Sequence, residues 1–139
     1  MSQAEDELRE SNAAFYRAFR ARDFAAMEAV WARHAPVACV HPGMDVVVGR
    51  EAVMASWKGI LEHRDAPRMA CTRVQVHIIA EAAFVTCLEG TSGDRPALIA
   101  TNVFTREDGV WRMVHHQAAP LSVRPTSEPL DDPDPTVWN

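Results

Sequence analysis

The chain has 139 residues, 47% of them apolar, and 19 acidic against 14 basic side chains leave a formal net charge of −5. That is the length of one domain, which buries roughly two-thirds of its unfolded surface and has room for a core and an internal pocket, so two domains are excluded. Nucleic acid is excluded as a partner, because a phosphate-backbone footprint needs clustered Lys and Arg and the arginines here are scattered singly.

The opening Met1-Ser2-Gln3-Ala4-Glu5-Asp6-Glu7 has neither the basic nor the apolar region of a secretion signal, and no apolar run approaches membrane-spanning length. A cytoplasmic protein with no membrane partner is expected. Cys39, Cys71 and Cys87 lie in apolar stretches without a CxxC pair, which reads as buried thiols in a reducing compartment, with no metal and no cofactor.

In chain order, Leu8, Phe15 and Phe19, with Ala4 and Asn12 in register, fall on one face of a 3.6-residue repeat and predict an amphipathic helix from Gln3 to Ala21. Asp23 then reads as the cap of a second helix through Phe24, Met27, Val30 and Trp31, stopped near His34 because Pro36 disfavours helical geometry at Ala35. Val37 to His41 and Val46 to Val48 are short strand-type runs around the Pro42-Gly43 turn. A third helix starts near Gly49, with Val53, Trp57, Ile60 and Leu61 at helical spacing.

After Pro67 the period changes to two: Val74, Val76 and Ile78 alternate with Arg73, Gln75 and His77. Three further strands, Ala83 to Thr91, Pro96 to Thr105 and Val110 to Pro120, are joined by Ser92-Gly93-Asp94 and Glu107-Asp108-Gly109, which predicts an antiparallel meander. The order is that of an α+β fold, helices packed on one side of a curved sheet.

In the strand Pro96 to Thr105 both alternating sets are apolar, Ala97, Ile99 and Val103 on one face and Leu98, Ala100 and Phe104 on the other. Helices cover one face; a second copy of the chain, meeting sheet to sheet, is the expected cover for the outer one, with the C-terminal tail as the alternative. That tail, residues 122–139, is rich in Pro and acids and is read as an arm beyond a domain of residues 1–121, with Val137-Trp138 as a candidate anchor.

Four segments carry a resemblance: Cys39-Val40-His41-Pro42-Gly43; Gly49-Arg50-Glu51-Ala52-Val53 leading to Ser56-Trp57; Ala100-Thr101-Asn102-Val103-Phe104; and Gly109-Val110-Trp111-Arg112-Met113-Val114-His115-His116-Gln117-Ala118. Over about residues 5 to 120 the chain resembles the SnoaL-like branch of the nuclear-transport-factor-2-like superfamily. The resemblance implies a cone-shaped, curved antiparallel sheet wrapped around three N-terminal helices, with dimers commonly formed through the sheet. It implies no single reaction, since the superfamily holds steroid isomerases, polyketide cyclases, dehydratases, the association domain of calmodulin-dependent kinase and many proteins without known activity.

Strand parity puts Cys39 with His41, Val85 with Cys87 and Glu89, Ala100 with Asn102 and Phe104, and Trp111 with Met113, His115 and Gln117. The inward face of the central strands stays open, both faces being apolar. By resemblance, His41, Glu89, Asn102 and His115 stand where the branch often places polar residues, and Gln117 where relatives frequently have another histidine. Glu89 either ends its strand in solvent or, buried, has a raised pKa that suits a general base. His115 is the second candidate catalytic group; Tyr16, His41, Asn102 and Gln117 are candidate ligand contacts. Trp31, Trp57 and Phe104 are core residues or pocket walls. No pair of carboxylates matches the steroid isomerases, so their chemistry does not carry over. Two readings follow: a dimeric binder of an apolar small molecule, with a proton-transfer enzyme using Glu89 or His115 as its variant, or a non-catalytic dimerisation module.

Overall fold

The structure, a computed structural model, describes residues 2–91 and 95–122. The expected turn at Ser92-Gly93-Asp94 and the tail beyond Ser122 lie outside the described residues.

Helix α1 (Gln3–Ala21) opens with a capping box: the Ser2 hydroxyl accepts from the Glu5 amide at 3.1 Å and the Glu5 carboxylate accepts from the Ser2 amide at 3.0 Å. It ends where Arg22 turns left-handed, at φ 57°. Leu8, Asn12, Phe15, Tyr16 and Phe19 form its buried face, and the fully buried Leu8 and Phe15 each contribute roughly 1.5–3 kcal/mol by leaving water. Asp23 caps α2 (Phe24–Val30) by accepting from the Ala26 amide at 3.0 Å.

Helix α2 ends before the expected stop near His34. Trp31 leaves helical geometry to bridge Met113, and the Ala32 amide donates to the Met113 carbonyl at 2.9 Å, so pairing with the sheet wins over the helix. The segment that follows is held by side chains. The Arg50 guanidinium donates to the carbonyls of Glu28, Trp31 and Ala32 at 2.9–3.0 Å, and the Glu107 carboxylate accepts from the amides of Arg33, His34 and Ala35 at 2.8–2.9 Å.

Strands β1 (Ala38–Val40) and β2 (Val47–Val48) precede α3 (Arg50–Glu62), and β3 (Met69–Ile79), β4 (Ala82–Thr91), β5 (Leu98–Glu107) and β6 (Val110–Pro120) follow. The six strands form one sheet in the order β2-β1-β6-β5-β4-β3, antiparallel except where β1 runs parallel to β6. The fold is the expected α+β cone, with Phe15, Tyr16, Trp31, Trp57, Trp111 and Met113 filling the space between helices and sheet.

One irregularity decides which side chains face that space. Val103 pairs with His115 and Phe104 with Met113, so Val114 is an extra residue, a β-bulge. The bulge reverses parity along β6: Trp111 and Met113 are buried, and beyond it His116 and Ala118 are buried instead of His115 and Gln117.

The Glu107 staple generates a prediction. Partial burial pushes its carboxyl up, but the three backbone amides outweigh this and hold it down at about 2. A depressed folded-state pKa contributes stability that is present above the ordinary carboxylate range and lost as pH falls through about 2. Glu107→Ala is expected to lower unfolding free energy at pH 7 by on the order of 1–2 kcal/mol in urea titrations, with the deficit shrinking as pH falls below the ordinary carboxylate range.

Candidate functional site

The inner face of the cone holds a polar cluster built from four elements. Asn12 and Tyr16 stand one turn apart on α1; β4 supplies Cys87 and Glu89, β5 supplies Asn102, and β6 supplies His116. Asn12, Tyr16, Glu89, Asn102 and His116 are each 0–1% exposed. A buried polar group without a partner costs a large part of a domain's net stability, so the hydrogen bonds must close on one another, and they do.

Asn102 Nδ2 donates to Asn12 Oδ1 at 2.8 Å and to Tyr16 Oη at 3.2 Å, while Asn102 Oδ1 lies 2.5 Å from His116 Nδ1. With both amide protons of Asn102 engaged, its oxygen accepts, which puts the imidazole proton on Nδ1. Tyr16 Oη donates to Glu89 Oε2 at 2.5 Å, and its proton being committed there, Cys87 Sγ at 3.2 Å acts as donor to the phenol oxygen. The lone pair left on His116 Nε2 lies 3.8 Å from Glu89 Oε2.

Burial pushes the Glu89 carboxyl up to about 7, with the Tyr16 hydrogen bond pulling the other way. Burial pushes His116 down to about 3, helped by His41 and His115, and raises the Tyr16 phenol well above its ordinary value. His116 is therefore neutral at physiological pH, and its contact with Glu89 is a neutral acid–base juxtaposition rather than an ion pair. A carboxyl that titrates near neutrality beside a neutral imidazole can both give and take a proton.

Of the residues expected from sequence, Tyr16, Glu89 and Asn102 meet in this cluster. His115 does not: the bulge turns it to the outer face, partly exposed, and Gln117 is exposed on the same face. His116 takes the inward place that parity had given to His115. Asn12 was visible only as a polar residue in register with the apolar face of its helix. Trp31 and Phe104 are wholly buried packing residues, and among the described residues the Trp31 indole N–H meets no acceptor.

Trp57 forms the layer next to the cluster, its ring 5.9 Å from His116, 5.3 Å from Phe15 and 5.0 Å from His41. His41, 6% exposed, also lines an outer groove of about 490 Å³ over α3, whose walls include Met44, Ile60 and Pro67. There Ser56 Oγ donates to the Val53 carbonyl at 2.7 Å, so at 3.1 Å it accepts from His41 Nε2. Burial lowers the His41 pKa, consistent with a neutral ring carrying its proton on Nε2. Among the described residues no three His, Cys, Asp or Glu side chains come together as metal ligands, and no helix is long and apolar enough to cross a membrane.

The fold and this inner face define the class. The family model for the SnoaL-like domain matches residues 8–122, and the chain belongs to that family. Among solved structures it is similar to a candidate dehydratase of the NTF2-like family from Streptomyces avermitilis, 29% identical, TM-score 0.75, covering 85% of this chain and 96% of that one. It is also similar to a candidate calcium/calmodulin-dependent protein kinase type II association domain from Thiobacillus denitrificans, 40% identical, TM-score 0.71, covering 81% and 93%. The F-box protein SKIP8 of Arabidopsis thaliana is 27% identical over 112 residues, 81% of this chain, which spans about half (48%) of that relative's length.

Two measurements follow from the cluster's electrostatics. Tyr16→Phe removes the bond that holds the Glu89 carboxyl down, so its titration midpoint, read from the side-chain carboxyl carbon by NMR, is expected to rise above about 7. The raised folded-state pKa of Glu89 contributes stability that is present below the ordinary carboxylate range and lost as pH rises through about 7, whereas the depressed pKa of His116 contributes stability present above the ordinary imidazole range and lost as pH falls through about 3. Glu89→Gln removes only the first. Its stability relative to the wild type is expected to rise between pH 4.5 and pH 8, by roughly 2–3 kcal/mol in urea titrations; a difference flat with pH would contradict the raised pKa.

Proposed function

We propose that this SnoaL-like protein binds an apolar, oxygen-bearing small molecule in its cone and moves a proton on it, with Glu89 as the acid–base group. One observation carries the reading: a carboxyl titrating near neutrality is held, 1% exposed, by a tyrosine and beside a neutral histidine. A core needs no such group, and leucine in its place would involve no desolvation. Tyr16 orients the Glu89 carboxyl and Asn102 orients Tyr16, so the proton leaves the ligand for the Glu89 carboxylate and returns to the ligand from the carboxyl. His41, which packs against the Trp57 ring, reaches the outer groove.

The test uses an enolisable bicyclic ketone, 2-tetralone, and follows loss of its α-proton by NMR in D₂O. The exchange rate is expected to rise with pH through about 7, as Glu89 ionises, and to fall by roughly 10²–10⁴-fold in Glu89→Gln. A rate that Glu89→Gln leaves unchanged removes the mechanism.

We also infer a homodimer through the outer face of the sheet. There Ile99 is 45% exposed, Val103 and Phe84 are half-buried, and Thr101 and Ala119 are exposed, a weakly polar surface across β4, β5 and β6. Similarity to a candidate association domain supports the same reading. Light scattering is expected to give twice the chain mass at micromolar concentration, and Ile99→Glu to give the single mass. A wild-type monomer would overturn the dimer.

A further inference from the structure

We propose that the groove over α3 is a binding site for an apolar molecule carrying one hydrogen-bond donor, an aromatic alcohol in the simplest case, with Ser56 as its acceptor and Gly59 keeping the floor open. The site lies outside the cone, on the other side of Trp57 from the buried cluster, and does not depend on Glu89 as an acid–base group.

The volume, about 490 Å³, is that of a small-molecule site, and apolar walls with few polar groups are the usual lining of one. The order of protons fixes what those polar groups offer. Ser56 spends its proton on the Val53 carbonyl and one lone pair on His41 Nε2–H. His41, its proton spent on Ser56, has Cys39 Sγ 3.9 Å from both ring nitrogens, behind it in the core. Of this half-buried pair the group left over is the second lone pair of the Ser56 oxygen, an acceptor with no proton to give, while the exposed His63 and Asp65, joined by the Asp65 amide donating to His63 Nδ1 at 3.1 Å, also line the groove. An incoming hydroxyl fits it as donor, whereas a ketone or carboxylate would meet it lone pair to lone pair.

Gly59 is the independent observation. Glycine inside a helix costs roughly 0.5–1 kcal/mol relative to alanine. Here neither of the usual reasons for keeping it applies: its φ is not positive, and a Cβ built on it meets no atom within 4 Å. A side chain at this position would project into the groove, whose lining includes Gly59 together with Ala55, one helical turn before it. Two of the smallest residues, on successive turns of one face, leave the floor bare while Met44, Ile60 and Pro67 rise around it.

The test titrates the full chain with 2-naphthol and with naphthalene, an isosteric pair that differs by the hydroxyl. Saturable binding of 2-naphthol, about tenfold tighter than naphthalene, is expected, with amide NMR shifts centred on Ser56, Gly59 and Ile60. Gly59→Leu is expected to abolish binding while the melting temperature is kept or raised, since leucine is the better helix former. Ser56→Ala is expected to make the two ligands equal. Absence of saturable binding, shifts centred elsewhere, or binding that survives Gly59→Leu overturns the site. Glu89→Gln is expected to leave naphthol binding unchanged, so a failure of the proton-transfer reading and a failure of this one are seen separately.

Discussion

A carboxyl group 1% exposed at the centre of an aromatic core is the constraint around which the rest of this structure is arranged. Such a group is tolerated only if it keeps its proton or is solvated by protein donors, and here both devices operate. Burial drives the Glu89 pKa towards neutrality, and Tyr16 supplies the hydrogen bond that water would have made. Tyr16 can do so only because its own oxygen is fed by Asn102 and Cys87, and Asn102 only because Asn12 and His116 complete its amide. These bonds are directional, which the surrounding apolar packing is not. Asn12 and Tyr16, one turn apart, pin α1 to β4 and β5 at two points, and so fix the rotation of the helix about its axis. Slipping the helix by one residue would keep much of the greasy contact and break the whole polar set.

The β-bulge at Val114 serves the same arrangement from the other side of the cone. Without it, regular alternation from Trp111 and Met113 would carry His115 inward and leave His116 on the surface. With it, β6 keeps its two large apolar residues in the core and then presents His116 against Asn102, its partner in register on β5. The price of one unpaired residue in the ladder is small beside leaving the oxygen of a buried amide without a donor.

The limits of reading this chain from sequence follow from the same two features. Helix α1 was legible end to end, because a long 3.6-residue stripe marks its body; the meander was legible because its strands alternate and have turn residues between them. The bulge left no mark: His115 and His116 are the same residue type, so the string does not say which of them faces inward. The end of α2 was misplaced for a related reason. Pro36 is a local signal, whereas the real terminator is Trp31 pairing with Met113, far along the chain. Glu89 and Asn102 were visible as polar residues in apolar strands, but their convergence on Tyr16 depends on strand register and on the facing of a helix, which a single sequence does not encode locally.

Water exclusion connects the buried network to the outer groove. A carboxyl poised near neutrality keeps that property only while it is dry, since contact with bulk water would return it to the ordinary carboxylate range. Trp57 is the barrier: its ring packs edge-on against Phe15, Phe19 and His41, and lies between the groove side and His116. His41 is well suited to the outer side of that barrier because its pKa is lowered and its Nε2 proton is committed to Ser56, so it brings neither a charge nor a free donor against the aromatic layer. A lysine or arginine there would draw water towards the core and stabilise ionised Glu89. The separation of a dry acid–base interior from an apolar groove by one aromatic layer is thus a consequence of where the charges are absent as much as of where the polar groups are placed.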